Sequence, residues 1–376
     1  MAQMNTFKLF ALMRRGIFPV MAISVLLLAG MEVQAQQTYY SQGDLTVNLT
    51  SSWNTQIGGG GTQPADFTGN NIWIIQAGDD MTMSGDWTVG GPATVTLYGG
   101  LTVPSAYNVI IDGTITVSAG ATLQMTGEST VTGVNGTFVL SDDGTLGITS
   151  ADGITADPAT MTGNIRTSAG RTFSSGGFYL YNGTVHQWAG TGLPANITGN
   201  ITVNKPPQAL EYDDIVRLIS FCTIESGAFI NVISGIFNGG TSDGAGYFLT
   251  MEANSAIYRS GGRLEGGIFG PGPYDVYYTG NVIDQLYEEA SGPGLRNLNI
   301  NLTAGQRLSL TTPIVPDGDL ILTSGILDLS SYTCNRSTFG GTMTIADGAR
   351  MEIGGTGTLP ANYGTVTIGA GSTVLY

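Results

Sequence analysis

Apolar and polar residues alternate with period two in short bursts along most of the chain. The clearest burst is Thr114–Met125, TITVSAGATLQM. Ile115 and Val117 before its centre, and Leu123 and Met125 after it, are apolar, which predicts two strands that each bury one face. Between them sits Gly120, a residue suited to the left-handed backbone of a sharp bend. The same pattern recurs as TFVLSDDGTLGI from Thr137, TMTIADGARMEI from Thr342 and TVTIGAGSTVLY from Thr365, and more loosely as FLTMEANSAIYR from Phe248. The bend position is then Asp143, Gly348, Gly371 or Asn254. One interval separates Thr114 from Thr137, Asp319 from Thr342, and Thr342 from Thr365. A fixed period of this length is the mark of stacked coils. The predicted fold is all-β: a parallel β-helix, or solenoid, of ~23-residue coils, wound right-handed as parallel crossovers prefer.

Taken in order, residues 36–90 are irregular and read as an N-terminal capping region. Thr38–Leu49 and Asn71–Ala77 are predicted strands, separated by the loop Gly58–Pro64. Trp53, Trp73 and Trp87 lie here and suit a plug over the open end of a solenoid; a tryptophan platform for sugars is the alternative. Residues 91–376 are the solenoid proper, about twelve coils and on the order of 60 Å long at ~4.8 Å per coil. A longer repeat of about 97 residues overlies the coils: Tyr181, Tyr278 and Tyr376 follow one another at that interval, to within a single position. Ser234-Gly235-Ile236-Phe237 likewise answers Ser324-Gly325-Ile326-Leu327. No segment after residue 35 carries an amphipathic-helix pattern.

Residues 1–35 read as a secretory signal peptide. Lys8, Arg14 and Arg15 supply the basic start, Ile17–Ala29 the apolar stretch and Val33-Gln34-Ala35 the cleavage site. The apolar run is short for a membrane span, so no membrane insertion of the mature chain is expected. Without this segment the chain has 10 basic and 27 acidic residues. Such an acidic surface disfavours nucleic acid and anionic membranes as partners. Charged residues are only 11% of the chain against 41% hydrophobic, which excludes a disordered acidic tail. The two cysteines, Cys222 and Cys334, are far apart in the chain, several coils in a solenoid. Two separate buried thiols are expected, although export would permit a disulfide.

Candidate chemistry is sparse. His186 is the single histidine, and neither cysteine has a nucleophile motif around it. Asp79-Asp80, Asp142-Asp143, Asp213-Asp214 and Glu288-Glu289 are adjacent acidic pairs. Neighbouring strand residues point to opposite faces, so such a pair is not by itself a glycosidase site. Asp142-Asp143 falls at a predicted bend. Asp213-Asp214 follows Lys205-Pro206-Pro207 in an irregular stretch, the best place in the sequence for a groove. No catalytic residues and no cofactor are assigned. Calcium is the one cation with candidate ligands, at the acidic turns holding Asp317, Asp319 and Asp243.

The stretch Trp53-Asn54, the glycine run, Pro64, Phe67 and then WIIQAGDDMTMSGDWTV resembles the start of large secreted β-solenoid surface proteins of the Bacteroidota. So do TFVLSDDGTLGITSADGI and GNIRTSAGRTFSSGGFYLYNGTVHQWAGTGLPANITGNITVN. Such proteins are often type IX secretion cargo. The resemblance implies further C-terminal repeats or a sorting domain beyond Tyr376, and it implies no reaction. The expected function is a secreted or cell-surface structural or adhesive stalk that displays loops, with surface glycans or other cell-surface proteins as partners. Two alternatives stay open. One is a carbohydrate-binding or polysaccharide-degrading β-helix. The other is an ice-binding surface built from the outward pairs Thr114/Thr116, Thr342/Thr344 and Thr365/Thr367.

Overall fold

Each coil forms because its period-two stretches bury one row of side chains while their backbones pair with the coils on either side. The computed structural model describes residues 35–206, 213–240, 249–266, 268–270, 272–281, 290, 294–355 and 357–376. All but one residue of the predicted signal segment therefore lie outside the described residues, as do Asp243, Glu288 and Glu289. Residues 38–376 form one all-β unit, a parallel solenoid of coils about 23 residues long. Among the described residues, strands of successive coils make six sheets: one of 13 strands, one of seven and four of four. Pairing among the described residues is parallel except where Tyr40 and Ser41 meet Asn54 and Trp53.

One inward row can be followed through the whole 13-stranded sheet. Met81, Leu101, Leu123, Leu146, Tyr179, Ile201, Ile230, Ile257, Val276, Leu298, Leu320 and Met343 are register partners in succession. All twelve are buried. Each contributes roughly 1.5–3 kcal/mol by leaving water. The row ends at Val366, which pairs with Met343 and is 47% exposed.

The regular spacing is observed as register. Thr137 lies beside Thr114, and Thr365 beside Thr342. The bend residues Gly120, Asp143, Asn254 and Gly348 have positive φ, between 58° and 80°, whereas Gly371, the fifth predicted bend, does not take the left-handed conformation. The repeated twelve-residue pattern does not, however, occupy one place in the coil. Its copies at Thr114 and Thr137 run from the seven-stranded sheet into the 13-stranded sheet, whereas those at Thr342 and Thr365 run out of the 13-stranded sheet. The pattern marks a strand–bend–strand corner, and any corner of the coil can use it.

The longer repeat holds in part. Tyr181 and Tyr278 are both buried inward residues of the 13-stranded sheet, four coils apart. Gly235 and Gly325 both bend leftward, at φ 82° and 84°, where that sheet hands over to the next strand. Tyr376 does not join the series. It follows the strand Thr373–Leu375 in a different sheet and is 82% exposed.

At the N-terminal end, Trp53, Trp73 and Trp87 are wholly buried. Trp73 stacks on Tyr39 with ring centroids 4.8 Å apart, meets Trp53 edge-on at 5.2 Å and touches Phe67 at 4.9 Å. The Trp53 indole N–H donates to Val47 O at 2.8 Å. These rings plug the core and present no face to a sugar. Of the predicted strand Thr38–Leu49 the stretch Thr38–Ser41 forms a strand, and Thr46 adds a single parallel bridge to Thr82. The chain turns between them at Gly43, φ 95°, and makes a 3-10 turn over Thr50–Ser52.

Cys222 and Cys334 are both free and buried. Desolvation pushes each thiol up to about 12. Iodoacetamide at pH 8 is therefore expected to leave both unmodified in the folded protein and to alkylate both in denaturant. Mass spectrometry of the intact chain reads the difference.

Candidate functional site

Three of the four tryptophans are spent in the plug; the fourth, Trp188, is 37% exposed. It belongs to a two-residue strand, Gln187–Trp188, in which Gln187 points inward and is buried. Alternation then turns the indole outward. Its backbone is fixed from both sides: Trp188 N–H donates to Ala151 O at 2.7 Å, and Trp188 is the register partner of Arg217. The Arg217 guanidinium lies over the indole at 5.7 Å from the centroid, and the His186 ring meets it edge-on at 5.0 Å.

Opposite the indole stands a wall that most coils lack. The connection from Thr145–Ile148 to Ile165–Thr167 runs over 149–164, whereas the same corner of the two preceding coils takes only 104–107 and 126–129. The inserted segment is held rigidly. Asn164, wholly buried, accepts from the N–H groups of Thr149 and Ser150 at 2.8 and 2.9 Å and donates to Ser129 O at 2.8 Å. Arg171 reaches into the loop and donates to Thr155 Oγ1 at 2.5 Å and to the carbonyls of Thr155, Asp157 and Thr160 at 2.9–3.2 Å. Where the insertion meets the tryptophan strand, the two backbones touch. Any side chain at Gly190, φ 88°, would strike Ile154 O at 1.9 Å. Between wall and indole lies a cleft of about 650 Å³, lined by Trp188 and Gly190 and by Asp152, Thr155, Asp157, Thr160 and Thr191.

Behind the cleft lies a charged group. Lys205 is fully buried and donates from Nζ to Val185 O at 2.6 Å and to Gln187 Oε1 at 2.9 Å. It thereby braces the strand that carries Trp188. Burial pushes its ammonium down to about 8, against the pull of Asp214 and Asp213. Burial also holds His186 below its ordinary range, with Arg217 and Lys205 adding to the effect, so the imidazole is neutral at pH 7. Burial raises the Asp214 carboxyl. Lys205 has a stability consequence. The unfolded chain keeps this proton to about 10.5 and the folded one releases it near 8, so between those values the unfolded state binds more protons and stability rises with pH. Compared with Lys205→Met, the wild-type protein is expected to gain stability from pH 8 to 10.5. The two thiols and the buried tyrosines are common to both proteins, so the difference between their urea midpoints isolates this group.

The structure disperses the remaining candidates. Asp142 accepts from Ser174 Oγ, and Asp143 makes a left-handed bend. Asp317 Oδ1 accepts from Ser337 Oγ at 2.7 Å. Asp319 belongs to a ladder in which each side chain accepts an N–H from the coil above: Asp275 from Asn297, Asn297 from Asp319, and Asp319 from Thr342, at 2.7–3.2 Å. Among the described residues no group of three or more His, Cys, Asp or Glu is placed to hold a metal. Asp213 and Asp214 do not line the cleft, though their charge acts on Lys205, and that of Asp213 on His186. Trp188, Arg217 and the loop wall did not emerge from the sequence pattern. The signal for them was the step between the register partners Thr145 and Phe178, far longer than the regular step from Thr122 to Thr145.

No protein-family model, curated protein or solved structure matches the chain.

Proposed function

We propose that this protein is a secreted or cell-surface structural repeat protein, a stiff stalk that displays loops and makes adhesive contacts without catalysis. The observation that carries this reading is the unbroken buried row from Met81 to Met343. Each coil rests on the next through both backbone and core, so bending anywhere breaks hydrogen bonds and opens apolar surface together. The coils differ at their corners, where insertions such as 149–164 leave the frame. The signal-like start and the resemblance to Bacteroidota surface solenoids add the export step, by the type IX route in that reading. Lys205, the group with the most displaced titration near neutrality, is buried under its own strand and is out of a substrate's reach. The ice-binding alternative draws less support. Thr114 and Thr116 lie in the seven-stranded sheet, whereas Thr342/Thr344 and Thr365/Thr367 lie in the 13-stranded one, so they do not line up in one array.

The test is fractionation of cells expressing the whole gene, with N-terminal sequencing and protease shaving. Recovery outside the cell, beginning at Gln36 and accessible to protease, is expected. Recovery in the cytoplasm with residues 1–35 still attached defeats the proposal.

A further inference from the structure

We propose that the cleft beside Trp188 is a binding site for an uncharged pyranose unit of a polysaccharide. The inference goes beyond the stalk reading and does not depend on it, since it rests on the cleft alone. An indole left 37% exposed in a protein that buries its other three keeps an apolar face in water at a standing cost in hydration. The ring is already immobilised by its backbone bond to Ala151, by Arg217 above it and by His186 at its edge. Little side-chain freedom is left to lose when a ligand arrives.

The facing wall decides the ligand class. Asp152 and Asp157 on that wall carry carboxylates, and Thr191 beside the tryptophan strand adds a hydroxyl, a set that accepts and donates hydrogen bonds over a short distance; the hydroxyl protons of Thr155 and Thr160 are spent within the loop, on Thr162 O and Asp157 Oδ2. Thr191 Oγ1 accepts from Ala156 N–H at 3.4 Å and keeps its own proton to donate. A pyranose fits both walls: its C–H face is apolar and packs on an aromatic ring, while its rim of hydroxyls exchanges hydrogen bonds. A purely apolar ligand would strip water from the carboxylates without replacing it. An anionic ligand meets those carboxylates and a strongly acidic chain. A cationic ligand meets Arg217 over the same ring. The volume of about 650 Å³ falls within the usual size of small-molecule sites, about 300–1,000 Å³. The wall is also an addition to the fold. It lengthens a corner that the coil below closes with 126–129 alone, and it is tied down by Asn164 and Arg171 and by Ile154, which is buried in the core. A long loop held this rigidly is the kind that carries function.

The test is isothermal titration calorimetry of the purified protein against hexasaccharides of neutral glucans, mannan, xylan, galactan and chitin. Oligogalacturonate and heparin fragments serve as charged probes. Saturable binding of at least one neutral hexasaccharide is expected, with a loss of affinity of about tenfold or more in Trp188→Ala and partial retention in Trp188→Phe. In the wild-type protein the same sugar should protect tryptophan emission from acrylamide, because Trp188 is the exposed fluorophore. Thr191→Val, which removes a hydroxyl from the cleft lining, should weaken binding without touching the indole. Thermal melts of the variants confirm that they are folded. Absence of binding by every neutral sugar, equal binding by wild-type and Trp188→Ala protein, or preference for the charged probes overturns the proposal.

Discussion

Trp73→Ala is expected to lower stability by about 3–5 kcal/mol and to do so at one end only. The indole is wholly buried and is the hub of the plug, touching Tyr39, Trp53 and Phe67 at centroid distances of 4.8–5.2 Å. Its removal leaves a large void over the first coils, while Trp53 and Phe67 stay held against Trp87 at 5.7 and 5.9 Å and so do not move in to close it. Trp73 is also the register partner of Tyr39 on one side and Val95 on the other. The loss therefore falls on the joint between the irregular start and the regular coils. In a solenoid each coil contacts only its neighbours, so the damage fades with distance. Hydrogen exchange should accelerate over 38–111 and stay slow over 295–355. Equal acceleration at both ends would show that the solenoid unfolds as one unit and contradict nearest-neighbour stability. Trp73→Phe is expected to cost far less. The Trp73 indole N–H has no hydrogen-bond partner among the described residues, and phenylalanine removes that buried donor, which relieves about 1–3 kcal/mol of the penalty for the smaller ring.

The coils were legible because three independent signals agree at each bend. Ile115 and Val117 alternate with threonines, Gly120 permits the left-handed turn, and Thr137 returns one coil later to pair with Thr114. The corner that a given copy of the pattern occupies was not legible. A strand–bend–strand stretch states which side is inward and leaves open which of the coil's sheets it enters. That is why the copies at Thr114 and Thr342 look alike and sit in different phase. Tyr376 joined a numerical series for the same reason: its distance from Tyr278 matches four coils only if no corner in between is lengthened or shortened. The cleft was hidden by the opposite problem. Its wall is an insertion, and an insertion leaves no periodic trace. Only the overlong step from Thr145 to Phe178 betrays it. Trp188 lies on a strand too short to show alternation, and its exposure follows from Gln187 taking the inward place to hold Lys205. No single-residue hydrophobicity argument anticipates that exchange.

Placing a carboxylate in the middle of the core separates this architecture from a loosely stacked set of strands. Ile115→Asp is expected to cost about 5 kcal/mol or more, from the lost side chain and from an unpaired charge where water does not reach. Ile115 is fully buried between its register partners Val95 and Phe138, with Val117 beside it and Leu123 on the next strand. None of these offers a hydrogen bond to a carboxylate. The group must therefore protonate, drag water inward or unfold its coil, and the first route makes the damage milder in acid. Stability of the variant relative to wild type should recover as pH falls through the range in which a buried carboxyl, raised by desolvation, takes up its proton. Ile115→Val, which keeps the row apolar, should cost only about 0.5–1.5 kcal/mol. Thr116→Asp, one residue along on the outer face, should be close to neutral by comparison, since Thr116 is only part-buried. Equal losses for Asp at 115 and at 116, read from urea midpoints, would mean that the inward row has been assigned to the wrong face. Every register argument for the seven-stranded sheet, in which Ile115 lies between Val95 and Phe138, would then fail with it.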